Sequence, residues 1–252
     1  SRPTQLQFRA IEEFCDPPSN RWHGGISIDL EGDGLHELVR FGPAMLELQA
    51  FRPTKRVQNL FDEMTAEDPR RRCNAGSALA HDFNYDGRVD LLVGCHFDMF
   101  HGPVDYFKNL LFLQDEAGQL RFADAQTWTQ GNSVLHTLEG SSLAIGAADL
   151  NDDGLTDLLI SEDRIADVMI VNPHPGGIYF ACAPGDACRF QVKVFAAPNG
   201  SNGAYMGTAV LRLGRHPAHH VYVTDMRDNL LIRLTESGFR NLARSTNSGL
   251  GF

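Results

Sequence analysis

Two short stretches of the sequence carry oxygen-bearing side chains at every second position. Numbered from the first Asp, each has Asp, Asn, Asp and Asp at positions 1, 3, 5 and 9, and Gly at position 6. Hard oxygen donors at alternating positions, with a glycine where the chain turns sharply, are the ligand pattern of a calcium-binding loop. With the backbone carbonyl of position 7 included, the candidate ligands are Asp82, Asn84, Asp86, Arg88 and Asp90 in one loop, and Asp149, Asn151, Asp153, Leu155 and Asp157 in the other. We therefore predict that both loops bind Ca²⁺.

A third stretch follows the same pattern less closely. Its candidate ligands are Asp29, Glu31, Asp33, Leu35 and Glu37. Glu thus replaces Asn and Asp at positions 3 and 9, and a glycine replaces one spacer side chain. Asn, Asp and Gly are also common turn formers, so plain polar hairpin turns are the alternative interpretation. Three copies with one spacing favour the metal.

The segments that flank these loops are predicted to be β-strands. Leu158, Leu159 and Ile160 follow the loop that starts at Asp149, and no Glu stands at position 12. Both features separate the pattern from a helix-flanked EF-hand and place each loop in a β-hairpin. We expect a structural role for the ion, because a divalent cation converts repulsion among carboxylates into a cross-link.

The hairpins recur along the chain. The loops begin at Asp29, Asp82 and Asp149, which are 53 and 67 residues apart, and a copy without the ligands follows at 206–224. Such a period indicates a repeat array or propeller of small sheets. The predicted fold is all-β, with four-stranded antiparallel blades at 25–61, 76–123, 143–195 and 206–243, and with 6–14 as the outer strand of a preceding blade. In the third blade, the last two strands are predicted at 166–172 and 177–195.

The acidic hairpins resemble the FG-GAP/VCBS repeat, the blade unit of integrin-α-like β-propellers. A second repeated signature runs from Asn109 to Gly118 and again from Asn229 to Gly238, and each copy precedes a short predicted strand. This signature is similar to the outer hairpin of ASPIC/UnbV (cartilage acidic protein-like) proteins. The resemblance implies an extracellular or periplasmic, calcium-stabilised propeller without catalytic activity. Such a module binds a protein or glycan partner or serves as a structural subunit.

The propeller ring is expected to be incomplete. Four blades and a spare outer strand at 6–14 do not make a closed set, and the chain stops about where another inner strand is due. An open array leaves an apolar sheet face uncovered. We therefore expect further blades from missing sequence or from a second chain.

Composition limits the other classes of function. The 252 residues carry a formal net charge of −10, which disfavours nucleic acid as a partner, because nucleic-acid binding depends on clustered Lys and Arg. No run of about eighteen apolar residues occurs, so no membrane span is predicted. No nucleophile elbow, phosphate loop or zinc-protease motif is found, and no catalytic residue is assigned. A propeller-fold glycosidase or lyase with active residues in the central channel is the alternative function.

Five cysteines are present, and no two of them form a Cys-x-x-Cys pair. Cys182 and Cys188 bracket a turn-rich segment between two expected strands. We predict that they form a disulfide, with two free thiols as the alternative. The pairing of Cys15, Cys73 and Cys95 is left open by the sequence.

Three other clusters hold side chains that bind ligands in some proteins. Residues 95–101 include Cys, His and Met, which suit copper, but strand alternation places neighbours on opposite faces, so a loop leaving an inner strand is favoured. A surface loop is predicted for the histidines His216, His219 and His220. The arginines at 70–72 are predicted to form a solvated face.

Overall fold

The computed structural model of the chain describes residues 23–43, 45–50, 56–62, 64–96, 109–123, 142–162, 176–181, 190–194, 205–212, 219–225, 229–235 and 238–242. These residues form four separate four-stranded antiparallel sheets. In every sheet, neighbouring strands are also consecutive in the chain, so each sheet is a simple meander. The prediction of an all-β fold built from four-stranded antiparallel sheets is confirmed.

The strand bounds are as follows. Sheet one contains β1 (Gly24–Ile28), β2 (Glu37–Gly42), β3 (Met45–Ala50) and β4 (Arg56–Asn59). Sheet two contains β5 (Asn74–His81), β6 (Asp90–His96), β7 (Leu110–Gln114) and β8 (Leu120–Ala123). Sheet three contains β9 (Ser142–Ala148), β10 (Asp157–Glu162), β11 (Gly176–Ala181) and β12 (Phe190–Val194). Sheet four contains β13 (Tyr205–Arg212), β14 (His219–Asp225), β15 (Leu230–Thr235) and β16 (Gly238–Asn241).

Sheet three differs from its prediction. The segment 177–195, predicted as the place of the last strand alone, contains both β11 and β12, which pair with each other from Gly177↔Val194 to Ala181↔Phe190. The turn-forming Ala-Pro-Gly-Asp-Ala sequence between the two strands explains the break, since Pro and Gly interrupt a strand. Residues 166–172 and 6–14, which were also predicted to be strands, lie outside the described residues.

The sheets pack face to face because their inner strands are apolar on both faces. Successive residues of a strand point to opposite faces of its sheet. In β6, Leu91 and Val93 are buried against sheet one, whereas Leu92 is buried against sheet three. β10 repeats this arrangement, with Leu159 packed against sheet four and its two neighbours packed against sheet two. Each fully buried leucine contributes about 1.5–3 kcal/mol, so these interfaces hold the stack together.

The connection between sheets one and two includes the 3-10 helix Pro69–Arg72. The Asp68 carboxylate caps this helix by accepting a hydrogen bond from the Arg70 amide at 2.9 Å. The Arg70 guanidinium donates from Nε to the same carboxylate at 2.8 Å and lies over the Phe122 ring, 4.1 Å from its centroid. The helix is therefore fixed to sheet two by the Arg70 side chain.

A second arginine closes the same connection onto itself. Arg71 donates from Nη1 to the carbonyl oxygens of Phe61 at 3.1 Å and Met64 at 3.0 Å. Both carbonyls belong to residues whose side chains are buried in the core between sheets one and two. The predicted solvated face is thus wrong for Arg70 and Arg71, which are partly buried and hydrogen-bonded. Arg72 is exposed.

Cys73 and Cys95 form a disulfide within sheet two. Both residues are fully buried, and their Cα atoms are 5.1 Å apart. The bond joins the end of the connection to the penultimate residue of β6. Because Cys95 is bonded, it has no thiolate for the copper site considered at 95–101, and residues 97–101 lie outside the described residues. Cys182 and Cys188 also lie outside them, so their disulfide stays a prediction.

The capping role of Asp68 predicts a pH effect. The hydrogen bond from the Arg70 side chain lowers the pKa of the Asp68 carboxyl below its ordinary value of 3.8. A lowered folded-state pKa means that the carboxylate stabilises the protein above pH ~4 and that this contribution is lost as pH falls through the lowered value. Urea unfolding at pH 7 should show a loss of about 1 kcal/mol for Asp68→Ala. Asp68→Asn keeps a capping oxygen and should lose less.

Between pH 5 and pH 3, wild-type protein should lose more stability than Asp68→Asn does. Asp62→Asn, which changes an exposed carboxylate of the same connection, serves as the control and should follow the wild type. Identical pH profiles for wild type and Asp68→Asn would contradict the assignment.

The buried disulfide predicts a large contribution to stability. The bridged residues are 22 apart in the chain, and closing a loop of that length stabilises by about 3 kcal/mol in the chain-entropy model. The double variant Cys73→Ala, Cys95→Ala should lose stability of that order in urea unfolding without reductant. With reductant, its deficit relative to wild type should shrink. Peptide mapping of unreduced protein should find the two cysteines linked, and alkylation of both would refute the bond.

Candidate metal-binding loops

The three acidic loops connect the first and second strands of sheets one, two and three. In each hairpin the residue before position 1 pairs with the residue at position 9: Ile28↔Glu37, His81↔Asp90 and Ala148↔Asp157. Loop one (29–36), loop two (82–89) and loop three (149–156) therefore have one length and one register. Sheets packed in chain order with the same hairpin in each place the three loops along one edge of the stack.

The backbone of the loops explains their glycines. Position 6 has a left-handed conformation in all three, with φ of 81°, 84° and 85° at Gly34, Gly87 and Gly154. Glycine adopts this conformation without steric cost. Position 4 is left-handed as well, but only loop one has a glycine there. Tyr85 and Asp152, with φ of 57° and 61°, are the sole non-glycine residues with positive φ in the described part of the chain.

The aspartate at position 1 organises each loop by accepting two backbone hydrogen bonds. In loop two, Asp82 accepts from the amides of Asp86 at 3.0 Å and Gly87 at 2.8 Å. Asp29 and Asp149 accept from the equivalent amides at 2.8–3.1 Å. The aspartate at position 5 accepts in turn from the amide of position 7 at 2.8–2.9 Å in all three loops. The predicted ligands at positions 1 and 5 thus share one hydrogen-bond pattern in the three loops.

The acid at position 9 is buried and ties the loop to its own hairpin. Glu37, Asp90 and Asp157 are 5%, 0% and 0% exposed, and each accepts from the amide of position 2 at 2.8–3.0 Å. Asp90 also accepts from the Gln114 amide at 2.9 Å. Burial raises the pKa of the Asp90 carboxyl, and the nearby carboxylates of loop two add to this, while its two backbone hydrogen bonds oppose it. The structural task of this position was not evident from the sequence.

The residue at position 2 anchors each loop to the following sheet. Leu30 is buried in the core shared with sheet two, Phe83 in the core shared with sheet three, and Leu150 in the core shared with sheet four. Its amide is the donor to position 9. The same residue therefore links the buried acid of its own hairpin to the apolar core ahead of it.

The remaining predicted ligands lie toward solvent. Exposed are Glu31, Asp33, Leu35, Asp86, Asn151 and Asp153, and partly exposed are Asp29, Asp82, Asn84, Arg88, Asp149 and Leu155. Within the described residues, no three acidic, His or Cys side chains are gathered as a formed metal site. The donor chemistry still fits a hard cation. A carboxylate offers about four lone-pair sites, so one that accepts two amide hydrogen bonds retains oxygen capacity for an ion.

Two contacts join the loops to neighbouring sheets at position 4. Partial burial raises the pKa of the Tyr85 hydroxyl, the Thr156 backbone amide of loop three opposes this rise by donating a hydrogen bond to the hydroxyl oxygen, and nearby carboxylates add to it. Asp152 Oδ1 lies 3.0 Å from His219 Nε2 and 3.5 Å from the Arg212 guanidinium, both in sheet four. Neither contact was evident from the sequence, in which position 4 is a spacer between predicted ligands.

The histidine in this contact was also misplaced by the sequence. His219 and His220 are each 5% exposed and begin β14, whereas a surface loop was predicted for them. Val221 and Val223 face the core shared with sheet three. Because residues two apart in a strand share a face, His219 lies on the same face of β14. His216 lies outside the described residues.

Position 9 generates a prediction that is independent of any metal. In chelator, Asp157→Ala should lower the free energy of unfolding by about 1–3 kcal/mol, because the buried Leu150 amide loses its acceptor. Asp153→Ala removes an exposed acid of the same loop and should lose less than about 1 kcal/mol. Urea unfolding of both variants gives the comparison. Equal losses of stability in the two variants would show that the buried Asp157 stabilises the fold no more than the exposed Asp153 does.

The comparisons with known proteins support an integrin-like sequence over part of the chain. No family model matches the chain. It is 30% identical over 153 residues to the protein named integrin alpha pat-2 from Caenorhabditis briggsae, a match that covers 52% of this chain and 12% of that relative. A solved structure of BBS1N in complex with ARL6DN is 12% identical, with a TM-score of 0.41, and the alignment covers 86% of this chain and 55% of that one. This second likeness is too low to support an inference. The chain is thus similar to a small part of an integrin α chain.

Proposed function

We propose that this chain is a non-catalytic, calcium-stabilised module of the β-propeller type that binds a protein or glycan partner. The observation that carries the proposal is that positions 1, 5 and 9 accept the same backbone hydrogen bonds in the three acidic loops, which lie along one edge of stacked sheets. The partial similarity to an integrin α chain supports an interaction role over a catalytic one.

Each loop would hold Ca²⁺ with the side-chain oxygens at positions 1, 3, 5 and 9 and the carbonyl at position 7. The ion supplies positive charge where carboxylates crowd, and it fixes the hairpin end against its neighbours. Loops two and three have the matching set of three Asp and one Asn. Loop one offers longer Glu side chains at positions 3 and 9, and its position 9 is buried like those of the other two loops.

The compartment proposed for this function is extracellular or periplasmic. The buried Cys73–Cys95 disulfide supports it, because such bonds persist in oxidising compartments. The relative is named as an integrin α chain, which favours the extracellular alternative. In the described residues, no helix is long and apolar enough to cross a membrane.

We also propose that the four sheets belong to a larger ring, completed by further sequence or by a second chain. Extensive contacts between the described sheets join only consecutive ones. On sheet four, the face turned away from sheet three carries Leu211, Tyr222 and Leu231, each partly buried. Apolar side chains on a terminal sheet face favour a further sheet as its neighbour.

Calcium removal tests the metal part of the proposal. Millimolar Ca²⁺ should stabilise the protein against unfolding by about 1–3 kcal/mol, as expected for a ligand present at ten to a few hundred times its dissociation constant. The double variant Asp82→Asn, Asp149→Asn should lose most of this gain, whereas Glu116→Gln, an exposed acid outside the loops, should keep it. Titration calorimetry and thermal scans with and without chelator provide the measurement. Superimposable scans would contradict structural calcium.

The same double variant tests the interaction part. Purified protein would be probed against a glycan array and a panel of purified extracellular domains, in calcium and in chelator. The proposal expects binding that requires calcium and is lost in the double variant but kept in Glu116→Gln. If no ligand distinguishes the variants although calcium binds, the ion is structural and the interaction role fails.

A further inference from the structure

The side chain at position 4 of the acidic loops needs an explanation. A non-glycine residue in the left-handed conformation is disfavoured by roughly 1 kcal/mol. Loop one avoids this with Gly32, yet loops two and three keep Tyr85 and Asp152 at φ of 57° and 61°. Because glycine would serve the turn better, the retained side chains are expected to make contacts that offset the unfavourable backbone.

Both side chains reach forward to the next repeat. Tyr85 is 39% exposed in loop two, and its hydroxyl oxygen accepts from the Thr156 backbone amide at the end of loop three. Beneath this contact, Phe83 of loop two and Leu155 of loop three share one apolar cluster. Loop three is therefore held by loop two through a polar contact at the rim and an apolar contact below it.

Asp152 makes the equivalent contact one repeat further on. Its carboxylate lies 3.0 Å from Nε2 of His219, the first residue of β14. Arg212, the last residue of β13, lies 3.5 Å from the same oxygen. The carboxylate thus sits at the end of the first hairpin of sheet four. That hairpin has no acidic loop of its own to organise it.

Loop one is held from the opposite direction. Gly32 has no side chain to extend forward, and nothing lies within 4 Å of where its Cβ would be. Instead, the buried Gln114 of sheet two donates from Nε2 to the Leu30 carbonyl of loop one at 2.6 Å. The backbone amide of Gln114 donates to Asp90, at position 9 of loop two. One residue therefore contacts both loops.

From this arrangement we infer that Tyr85 and Asp152 are positioning residues, here named inter-sheet latches, which couple each loop to the repeat that follows it. Through this coupling, ordering of loop two stabilises the structure of loop three. Ordering of loop three likewise stabilises the first hairpin of sheet four. The extension of this coupling to ion binding, in which a cation at loop two raises the calcium affinity of loop three, rests on the proposed function. Coupling of this kind is reciprocal between the two sites.

Hydrogen exchange in chelator tests the latches without any metal. In Tyr85→Phe, which removes only the hydroxyl, amides of loop three should exchange about fivefold faster than in wild type, and those of loop two should be unchanged. In Asp152→Ala, amides near His219 should exchange faster by a similar factor. Tyr222→Phe, a hydroxyl deletion in sheet four, is the control and should leave loop three unchanged.

A glycine variant separates a latch from a residue that merely stabilises its own turn. Tyr85→Gly relieves the left-handed backbone, so loop two should exchange no faster than wild type, while loop three should again exchange about fivefold faster. Faster exchange in both loops, or no change in loop three in either Tyr85 variant, would overturn the inference.

Calcium titration tests the coupled binding and separates it from the proposed function. Disabling loop two with Asp82→Asn should weaken calcium binding at loop three about fivefold, and in a Tyr85→Phe background the same change should have no effect. If exchange responds to the variants but no calcium binds, the latches stand and the calcium function fails. If calcium binds with equal affinity at loop three in all variants, and exchange is also unaffected, the latches fail while the calcium function stands.

Discussion

A strand that is buried on both faces must have a neighbouring sheet on each side. β6 and β10 are such strands, with Leu91 and Leu92, or Leu158 and Leu159, directed into different cores. A chain of meander sheets satisfies this requirement by stacking the sheets in chain order. This stacking determines where the hairpin loops lie. The hairpin that precedes each second strand is brought to one edge of the stack. The polar groups of its loop must then find hydrogen-bond partners at this edge, where water lies on one side and the next sheet on the other.

The loops meet that condition by dividing their residues between two environments. Positions 2 and 9 are buried, and the hydrogen bond between the amide of one and the carboxylate of the other closes the base of each loop. Positions 1, 3 and 5 stay near solvent and hold the turn with side-chain oxygens that retain further capacity. A charge left unpaired at the base would be costly, so the acid there is engaged by two backbone amides in Asp90. The oxygen-bearing residues of each loop thus serve both the fold and the proposed ion.

The sequence predicted features that depend on local spacing, and it failed on those that depend on a distant neighbour. Regular placement of Asp, Asn and Gly was enough to locate three hairpin loops, and short runs of apolar residues were enough to place the strands around them. Nothing in that spacing shows that Cys73 meets Cys95, or that Asp152 meets His219, because each pair is joined only when strands or sheets pack. The arginines at 70 and 71 look solvated in a charged segment, but carbonyls and a carboxylate from the same connection enclose them. Position 4 was equally hidden, since a tyrosine and an aspartate at one loop position share no obvious chemistry until their common backbone conformation is known.

The Cys73–Cys95 bond also changes how a pulling force would travel along the chain. Its two ends enclose β5 and all of loop two, so tension applied through the backbone passes across the sulfur atoms and leaves that segment slack. The bridged positions are 22 residues apart in sequence, so about 75 Å of contour length is withheld from extension. Among the disulfides of the described residues, none encloses loop three. Under load, the two otherwise similar loops would therefore behave differently: loop three would bear the strain, and loop two would keep its shape until the bond is reduced.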